Sequence, residues 1–256
     1  ILRASKGRYK EVVFTGGEPS IRPDIIELVN YAKKLGYLIQ IQSNGRLFFY
    51  KDFCRDMIRA GVDIFAVSIH GHNSALHDFL TGAEGSFKQA TGGIANLLAL
   101  GKPVVTNTVI TKLNYRFLPD IARFLISLGI PQYQFAFPHI LGRALSNKKM
   151  IVPRKKDIVH YVKKGIEVGL GKKRTVMIEA LPYCFLSGYE ECVSDRHIPG
   201  TRVFDVKLTK NFNRWRKEKG KTKGPMCKDC KYFRCCEGPW VEYSRIFGWE
   251  EFRPVK

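Results

Sequence analysis

The sequence predicts an α/β fold built around a parallel sheet, and three observations support this prediction. Short apolar runs alternate with amphipathic stretches along the first half of the chain. Glycines follow four of the amphipathic stretches, as they often do at helix ends. The 256 residues are 45% hydrophobic and 26% charged, which is typical of one large globular domain with or without an appendage. Alternating strands and helices imply parallel strands joined by right-handed crossovers, so a doubly wound sheet and a (βα) barrel both remain open.

Five strands are predicted, because each is a short apolar run bounded by turn residues. The first, residues 10–15, reads KEVVFT and runs into a Gly-Gly turn. The other four predicted strands are residues 37–42, 62–69, 103–111 and 131–137.

Four helices are predicted between these strands. The first begins at Pro23-Asp24, where proline suits the first helical turn, and its apolar face ends at Gly36. The other three helices are predicted at residues 51–59, 86–100 and 117–128. After residue 138 the alternation ends, leaving a predicted helix at 155–168, a strand at 175–179 and irregular, Cys-rich sequence. We therefore predict two domains, residues 1–150 and 151–256.

Small and polar residues follow the predicted strands, where parallel α/β folds bind their ligands. Gly16 and Gly17 leave their backbone open to a close ligand, and Glu18 adds a carboxylate that can pair with an ammonium group. Each strand end is also an ordinary helix-entry loop when taken alone. Together they predict a polar rim suited to a zwitterion that carries a ribose.

Two segments resemble the radical S-adenosylmethionine (SAM) enzymes. VVFTGGEPSIRPDIIELV, with GGEP directly after a strand, is similar to the second strand of that family, and SIHG…LHDFLTG…GSF is similar to a later segment. The resemblance covers about residues 9–145. It implies an α/β fold of the partial (βα)6 TIM-like barrel type with a small Cys-rich C-terminal appendage. The five predicted strands would be the barrel's second to sixth.

The resemblance also implies a set of SAM contacts. Gly16, Gly17, Glu18 and Pro19 would bind the methionine amino group, with Glu18 and backbone carbonyls as acceptors. The other implied contacts are Ser43, Asn44, Ser68, His70 and Asn107 near the carboxylate or ribose, and Phe137, Pro138 and His139 beside the adenine. The remaining histidines, His72, His77, His160 and His197, are expected to have surface or capping roles.

The family holds its catalytic [4Fe–4S] cluster with a C-x3-C-x2-C motif, which these 256 residues do not contain. We expect the motif upstream of residue 1, in a longer enzyme; the alternative is a degenerate relative without that cluster. The resemblance implies reductive cleavage of SAM to a 5′-deoxyadenosyl radical that abstracts hydrogen from a peptide, a nucleotide or another metabolite. A ferredoxin or flavodoxin would donate the electron.

Six of the seven cysteines lie from residue 184 onward. An odd number without a secretory signal favours a metal or cluster site in a reducing, cytoplasmic compartment over a disulfide framework. Cys227-x2-Cys230-x5-Cys236 is a compact ligand set, because a C-x2-C turn aims both sulfurs the same way. Cys184 is the predicted fourth ligand, with Cys192 and Cys235 as rivals.

Spacing alone leaves zinc and an iron–sulfur cluster open for these cysteines. The segment resembles the auxiliary-cluster appendage of SPASM or twitch type, which implies one auxiliary [4Fe–4S] cluster with zinc as the alternative. Cys54, on a predicted helix, is expected to be a core residue.

The chain carries 43 Lys and Arg against 23 Asp and Glu, a net charge of +20. Residues 148–174 hold 10 basic and 2 acidic side chains, and residues 205–234 hold 11 and 3, so each segment contributes +8. Such segments predict either an anionic partner, nucleic acid included, or a solvated, thermophile-like surface. No apolar stretch is long enough for a membrane span. The alternative function is a SAM-binding or zinc-stapled module that docks on nucleic acid or an acidic protein.

Overall fold

The computed structural model describes residues 2–198, 200–204 and 211–256, and these form two compact units. The first unit comprises Ile1–Thr108, Asp120–Tyr133 and Gly171–Thr175. The second comprises Val109–Pro119, Gln134–Leu170 and Val176–Lys256. The units interleave along the chain, and a domain boundary near residue 150 stays a prediction.

Six strands form one sheet, in the order in which they occur along the chain. They are β1 (Glu11–Phe14), β2 (Leu38–Ser43), β3 (Ile64–Ser68), β4 (Val104–Val109), β5 (Gln132–Ala136) and β6 (Thr175–Glu179). The first three neighbouring pairs are parallel. The predicted α/β class with a partial barrel is confirmed. The sheet has one strand more than the five assigned to the barrel, because β6 joins it from beyond residue 150.

Seven helices of seven or more residues occur in the described part of the chain. They are α1 (Ile25–Lys34), α2 (Lys51–Ala60), α3 (Ser74–Thr81), α4 (Ser86–Ala99), α5 (Leu118–Ser127), α6 (Lys155–Leu170) and α7 (Val241–Phe247). The five predicted helices are confirmed within a few residues at their ends, whereas α3 and α7 were not predicted. Asn73 caps α3, its side chain accepting a hydrogen bond from Leu76 N at 2.9 Å. None of the described helices combines the length and apolar content that crossing a bilayer requires.

The strands of the first unit bury one face of the sheet. Ile39, Ile41, Phe65 and Val67 are fully buried there, each contributing roughly 1.5–3 kcal/mol by leaving water. Side chains at the intervening positions are partly or fully exposed, and several of them are polar: Gln40, Gln42, Ser68 and Asn107. The first unit therefore combines an apolar core with a polar sheet face.

A close backbone contact fixes the turn after β2. Gly45 has a φ of +79°, in the left-handed region that favours glycine. A Cβ atom on Gly93 of α4 would lie 2.5 Å from the Gly45 carbonyl oxygen and 2.9 Å from the Phe48 Cβ atom. Only glycine at position 93 therefore lets α4 lie this close to the turn.

We predict that Gly93→Ala lowers the free energy of unfolding by about 1–3 kcal/mol, because the methyl group overpacks this contact. This is the net change: the cost of overpacking outweighs the roughly 1 kcal/mol by which alanine is more favourable than glycine in a helix. Gly92→Ala is the matched control: its Cβ atom would meet the Phe49 ring at 2.7 Å, and that ring is 39% exposed and can turn away. Urea unfolding measures both variants, and equal stability of the two would contradict the prediction.

Candidate functional site

The carboxylate of Glu18 connects the loops that follow β1 and β2. Its Oε1 atom accepts hydrogen bonds from Ser20 N (3.0 Å), Ser20 Oγ (2.6 Å) and Ser43 Oγ (2.8 Å). Its Oε2 atom accepts one from Asn44 N at 2.7 Å. The two loops meet because β1 and β2 are parallel neighbours, with Phe14 opposite Ile41. Glu18, Ser43 and Asn44, which the sequence analysis proposed separately, therefore form one hydrogen-bonded group.

The Glu18 carboxylate can accept further hydrogen bonds, and the backbone of the GGEP loop is exposed beside it. A carboxylate offers about four lone-pair sites, and Oε2 accepts a hydrogen bond from Asn44 N alone among the described residues. Gly16 and Gly17 have no heavy atom within 4 Å of the position that a Cβ would occupy, and both are exposed. Pro19 is buried and begins a short helical turn, Pro19–Ile21. The loop can thus present a carboxylate oxygen and bare backbone to a cationic group.

Ser68, the last residue of β3, lies opposite Asn107, which stands two residues before the end of β4. Both are partly exposed on the polar face of the first unit. His70 follows Ser68 by two residues, and its backbone N–H donates to His77 Nδ1 at 3.1 Å. Burial, with a smaller effect of His77, lowers the pKa of His70 to about 4. His70 is therefore a neutral imidazole near pH 7.

The HD…TG…GSF segment is built around Asp78. Its Oδ1 atom accepts from Phe87 N (2.7 Å) and Ser86 Oγ (2.8 Å), and its Oδ2 atom accepts from Gly85 N (2.9 Å). The hydrogen bond from Phe87, with those from Ser86 and Gly85, lowers the pKa of Asp78. The carboxylate therefore fixes the start of α4, where a negative charge is favourable.

The expectation that His77 has a surface or capping role is wrong. Its side chain is 2% exposed, because its Nδ1 atom is turned inward to accept the backbone N–H of His70. The two rings lie nearly parallel, with their centroids 5.9 Å apart. The adjacent His77-Asp78 pair in the recognised segment was the sequence signal that could have identified this role.

The remaining predicted SAM contacts belong to the second unit. Phe137 is 3% exposed, and its ring contacts both Lys155 Nζ, 3.3 Å from its centroid, and the ring of Tyr243, with 5.3 Å between centroids. His139 stacks on Trp240 with 4.1 Å between centroids, and its Nε2 atom lies 3.5 Å from Glu242 Oε2. Burial lowers the pKa of His139, opposed by Glu242. One face of His139 is thus covered, Pro138 is buried, and the adenine contacts stay predictions.

Four cysteines of the second unit line one cavity, which we call the thiol cavity. They are Cys184, Cys227, Cys230 and Cys236, the predicted ligand set. The rest of the wall is formed mainly by proline and aromatic residues, with Lys223 and Arg253. The rivals for the fourth position do not line it: Cys192 is buried elsewhere, and Cys235 is exposed with its Sγ atom 3.6 Å from Tyr232 O. Their role as ligands stays a prediction.

Backbone N–H groups point at the sulfur atoms of this cavity. Gly238 N donates to Cys236 Sγ at 3.4 Å, and Val255 N donates to Cys230 Sγ at 3.5 Å. Burial and the neighbouring cysteines raise the pKa of Cys184 to about 12, while the backbone N–H of Arg253 lowers it. Such N–H groups stabilise negative charge on sulfur.

The donor chemistry of the thiol cavity fits an iron–sulfur cluster. Four thiols supply the soft ligands, and amide donors and two cations offset the negative charge of the thiolates. Within the described ranges, no three Cys, His, Asp or Glu side chains converge on a position for a single metal ion. Cys54 is fully buried and its thiol donates to Phe48 O at 2.9 Å, which confirms the predicted core role.

Three side chains of the basic segments, those of Lys155, Arg216 and Lys221, are buried, contrary to the solvated surface that the sequence suggests. Lys221 forms ion pairs with Asp195 and with Glu237, the latter at 3.6 Å, and Arg216 pairs with Glu237 at 2.8 Å. Lys155 is 0% exposed, and its Nζ atom donates to Ala180 O at 2.9 Å. These cations therefore stabilise the interior of the second unit instead of forming a solvated surface. Part of the second basic segment, residues 205–210, lies outside the described residues.

Comparison with known proteins identifies relatives of the first half of the chain. Residues 1–125 match the family model described as the radical SAM superfamily. The AdoMet-dependent heme synthase of Oleidesulfovibrio alaskensis is 33% identical over 133 residues, which are 52% of this chain and 34% of that protein. The PqqA peptide cyclase of Gluconobacter oxydans is 26% identical over 148 residues, which are 58% of this chain and 41% of that protein. The matched parts thus span between a third and a half of these curated relatives.

The fold has a counterpart among solved structures. The crystal structure of Streptococcus suis SuiB bound to S-adenosylmethionine superimposes with a TM-score of 0.67. It is 17% identical, and the match covers 93% of this chain and 64% of that chain, so it shows the shared fold alone. The matched residues 1–125 contain the GGEP loop and the Asp78 segment, and this part of the chain belongs to the radical SAM superfamily.

Proposed function

We propose that this chain is the SAM-binding part of an enzyme that cleaves SAM reductively and abstracts hydrogen from a substrate. The observation that carries the proposal is the Glu18 group, which joins two strand ends beside an open glycine backbone. It lies within the residues that match the radical SAM superfamily. The match covers less than half of the curated relatives' length, so the activity is a proposal for the whole protein.

The residues of this chain bind and orient SAM in the proposed reaction. Glu18 Oε2 would accept a hydrogen bond from the methionine ammonium group, and the open backbone of Gly16 and Gly17 would leave room for that group beside it. Ser68 and Asn107 offer hydroxyl and amide groups to the ribose. His70, a neutral imidazole, adds no charge that would repel the sulfonium. SAM itself, when it receives one electron from a [4Fe–4S] cluster, supplies the radical chemistry.

The second unit is proposed to hold one auxiliary [4Fe–4S] cluster through Cys184, Cys227, Cys230 and Cys236. Their shared cavity and the N–H groups directed at sulfur support the assignment. Such a cluster carries single electrons. The alternative occupant is zinc, which would only stabilise the loops around the cavity.

The substrate is proposed to be a peptide or a small metabolite. The relatives named above are a heme synthase and a peptide cyclase, which act on different classes of molecule.

We predict that anaerobic reconstitution of the longest natural form of this protein with iron and sulfide yields an enzyme that converts SAM to 5′-deoxyadenosine and methionine in the presence of dithionite. Liquid chromatography with mass spectrometry measures both products. If neither product forms and SAM does not bind, the enzyme proposal is wrong, and a degenerate SAM-family module becomes the better explanation.

We predict that Glu18→Gln weakens SAM binding about 10- to 100-fold, because an acceptor in a charge-assisted hydrogen bond is worth roughly 1.5–3 kcal/mol. Equilibrium dialysis with labelled SAM measures the dissociation constant. Glu27→Gln, which removes an exposed carboxylate of α1, is the matched control and leaves binding unchanged. If Glu18→Gln binds SAM with the wild-type affinity and unfolds at the wild-type melting temperature, Glu18 does not bind SAM.

We predict that Cys184→Ala and Cys236→Ala each lower the iron and sulfide content of the anaerobically purified protein. Each substitution removes a thiol from the cavity, whereas Cys235→Ala removes an exposed neighbour and keeps the full content. Elemental analysis measures iron and zinc together. Full zinc occupancy with no sulfide in the anaerobic native protein would establish the zinc alternative.

A further inference from the structure

Five exposed cations, which we call the cationic rim, lie on or beside the wall of the thiol cavity. Lys223 and Arg253 line the cavity. Lys228, Lys231 and Arg234 each stand within two residues of one of its cysteines, and all five side chains belong to exposed residues. Asp229 is the one acidic residue between positions 221 and 236. The wall of the cavity therefore carries a concentrated positive charge.

The rim cations form no close ion pairs, unlike several other surface cations of this chain. Arg55, Arg123 and Arg196 pair with a nearby Asp or Glu at 2.7–2.8 Å. No rim cation forms an ion pair with any carboxylate in the described part of the chain. Like charges within about 8 Å of one another repel at physiological ionic strength. Lys231 acts on the carboxylate of Glu190 without forming an ion pair with it, so the rim keeps most of its positive charge, which an anionic partner would offset.

Contacts with backbone and rings hold part of the rim in place. Lys223 Nζ donates to Phe233 O at 2.5 Å and lies 4.5 Å from the centroid of the Phe233 ring. Arg253 donates to Glu250 O at 2.6 Å. Lys231 Nζ lies 5.1 Å from the centroid of the Tyr232 ring. Cations that are already held in place lose little conformational entropy when a partner binds, so less of the binding free energy is lost in ordering them.

The same contacts make nucleic acid a poor occupant. Single-stranded nucleic acids bind by stacking their bases on free aromatic faces. Here Lys223 lies over Phe233, and Tyr232 stacks on Tyr183 with 4.7 Å between centroids. The aromatic faces beside the rim are therefore already in contact with this chain's own side chains.

The cysteines beneath the rim lie close to the surface. Cys227, Cys230 and Cys236 are each half-buried, so a redox group in the cavity would be near any protein bound to the rim. We propose that the cationic rim is the docking surface of an acidic one-electron carrier protein, which reduces the group held by the thiol cavity. This inference rests on the proposed cluster. In the step, the reduced carrier loses one electron and the cluster gains it, and no bond breaks.

The test measures binding of an acidic [2Fe–2S] ferredoxin to the full chain by isothermal titration calorimetry at low and high salt. The wild type is expected to bind at low salt and to lose affinity steeply as salt rises. Lys228→Glu/Lys231→Glu is expected to weaken binding at least tenfold. Lys164→Glu/Lys172→Glu makes the same change in charge at exposed sites away from the cysteines in the sequence, and is expected to bind as the wild type does.

A second measurement follows reduction of the anaerobically reconstituted chain in stopped flow. Ferredoxin is expected to reduce the rim variant at least tenfold more slowly than the wild type, whereas dithionite reduces both at the same rate and iron content is unchanged. Absence of ferredoxin binding, or equal losses in rim and control variants, would overturn the docking surface. Tighter, rim-dependent binding of a single-stranded RNA would also overturn it. A chain that binds ferredoxin through the rim but holds no iron would leave the docking surface standing and refute the proposed cluster.

Discussion

The hydrogen bonds of the Glu18 carboxylate are the interaction on which the arrangement of the proposed SAM site depends. Parallel pairing of β1 with β2 brings the two strand-end loops together, and this carboxylate bonds to both. Ser43 Oγ then accepts the backbone N–H of Gly45 at 3.0 Å, in the turn against which α4 packs through Gly93. A chain of short contacts thus runs from the GGEP loop to the helical layer.

The loops of the second unit are held together by a different set of interactions. Its loops contain little regular structure, so buried ion pairs and aromatic contacts replace the ladder of a sheet. Lys155 illustrates this, because its Nζ atom donates to the carbonyl of Ala180, a residue with a φ of +57°. This turn directly follows β6 and precedes Cys184 by four residues. A buried lysine therefore stabilises the strained turn through which the chain enters the thiol cavity.

Much of the first unit could be predicted from the sequence, because its features are local. Apolar periodicity and terminal glycines located the five strands and four helices, and GGEP located the loop that carries Glu18. Two kinds of feature could not be predicted. The inward position of His77 depends on a hydrogen bond to His70, and the burial of Lys155, Arg216 and Lys221 depends on partners far away in the sequence. Neither side-chain type nor spacing distinguishes a buried lysine from a solvated one.

The net charge of +20 divides into two groups with different physical consequences. Lys155, Arg216 and Lys221 are desolvated, and each has carbonyl, carboxylate or ring contacts that compensate for the loss of water. Removing a carboxylate partner of Arg216 or Lys221 leaves a buried charge unpaired, so these ion pairs constrain the fold. The rim cations remain in water without carboxylate partners, and their mutual repulsion is relieved when an anionic surface approaches. Composition gives only the sum of the two groups, whereas burial and pairing separate cations that stabilise the fold from cations available for binding.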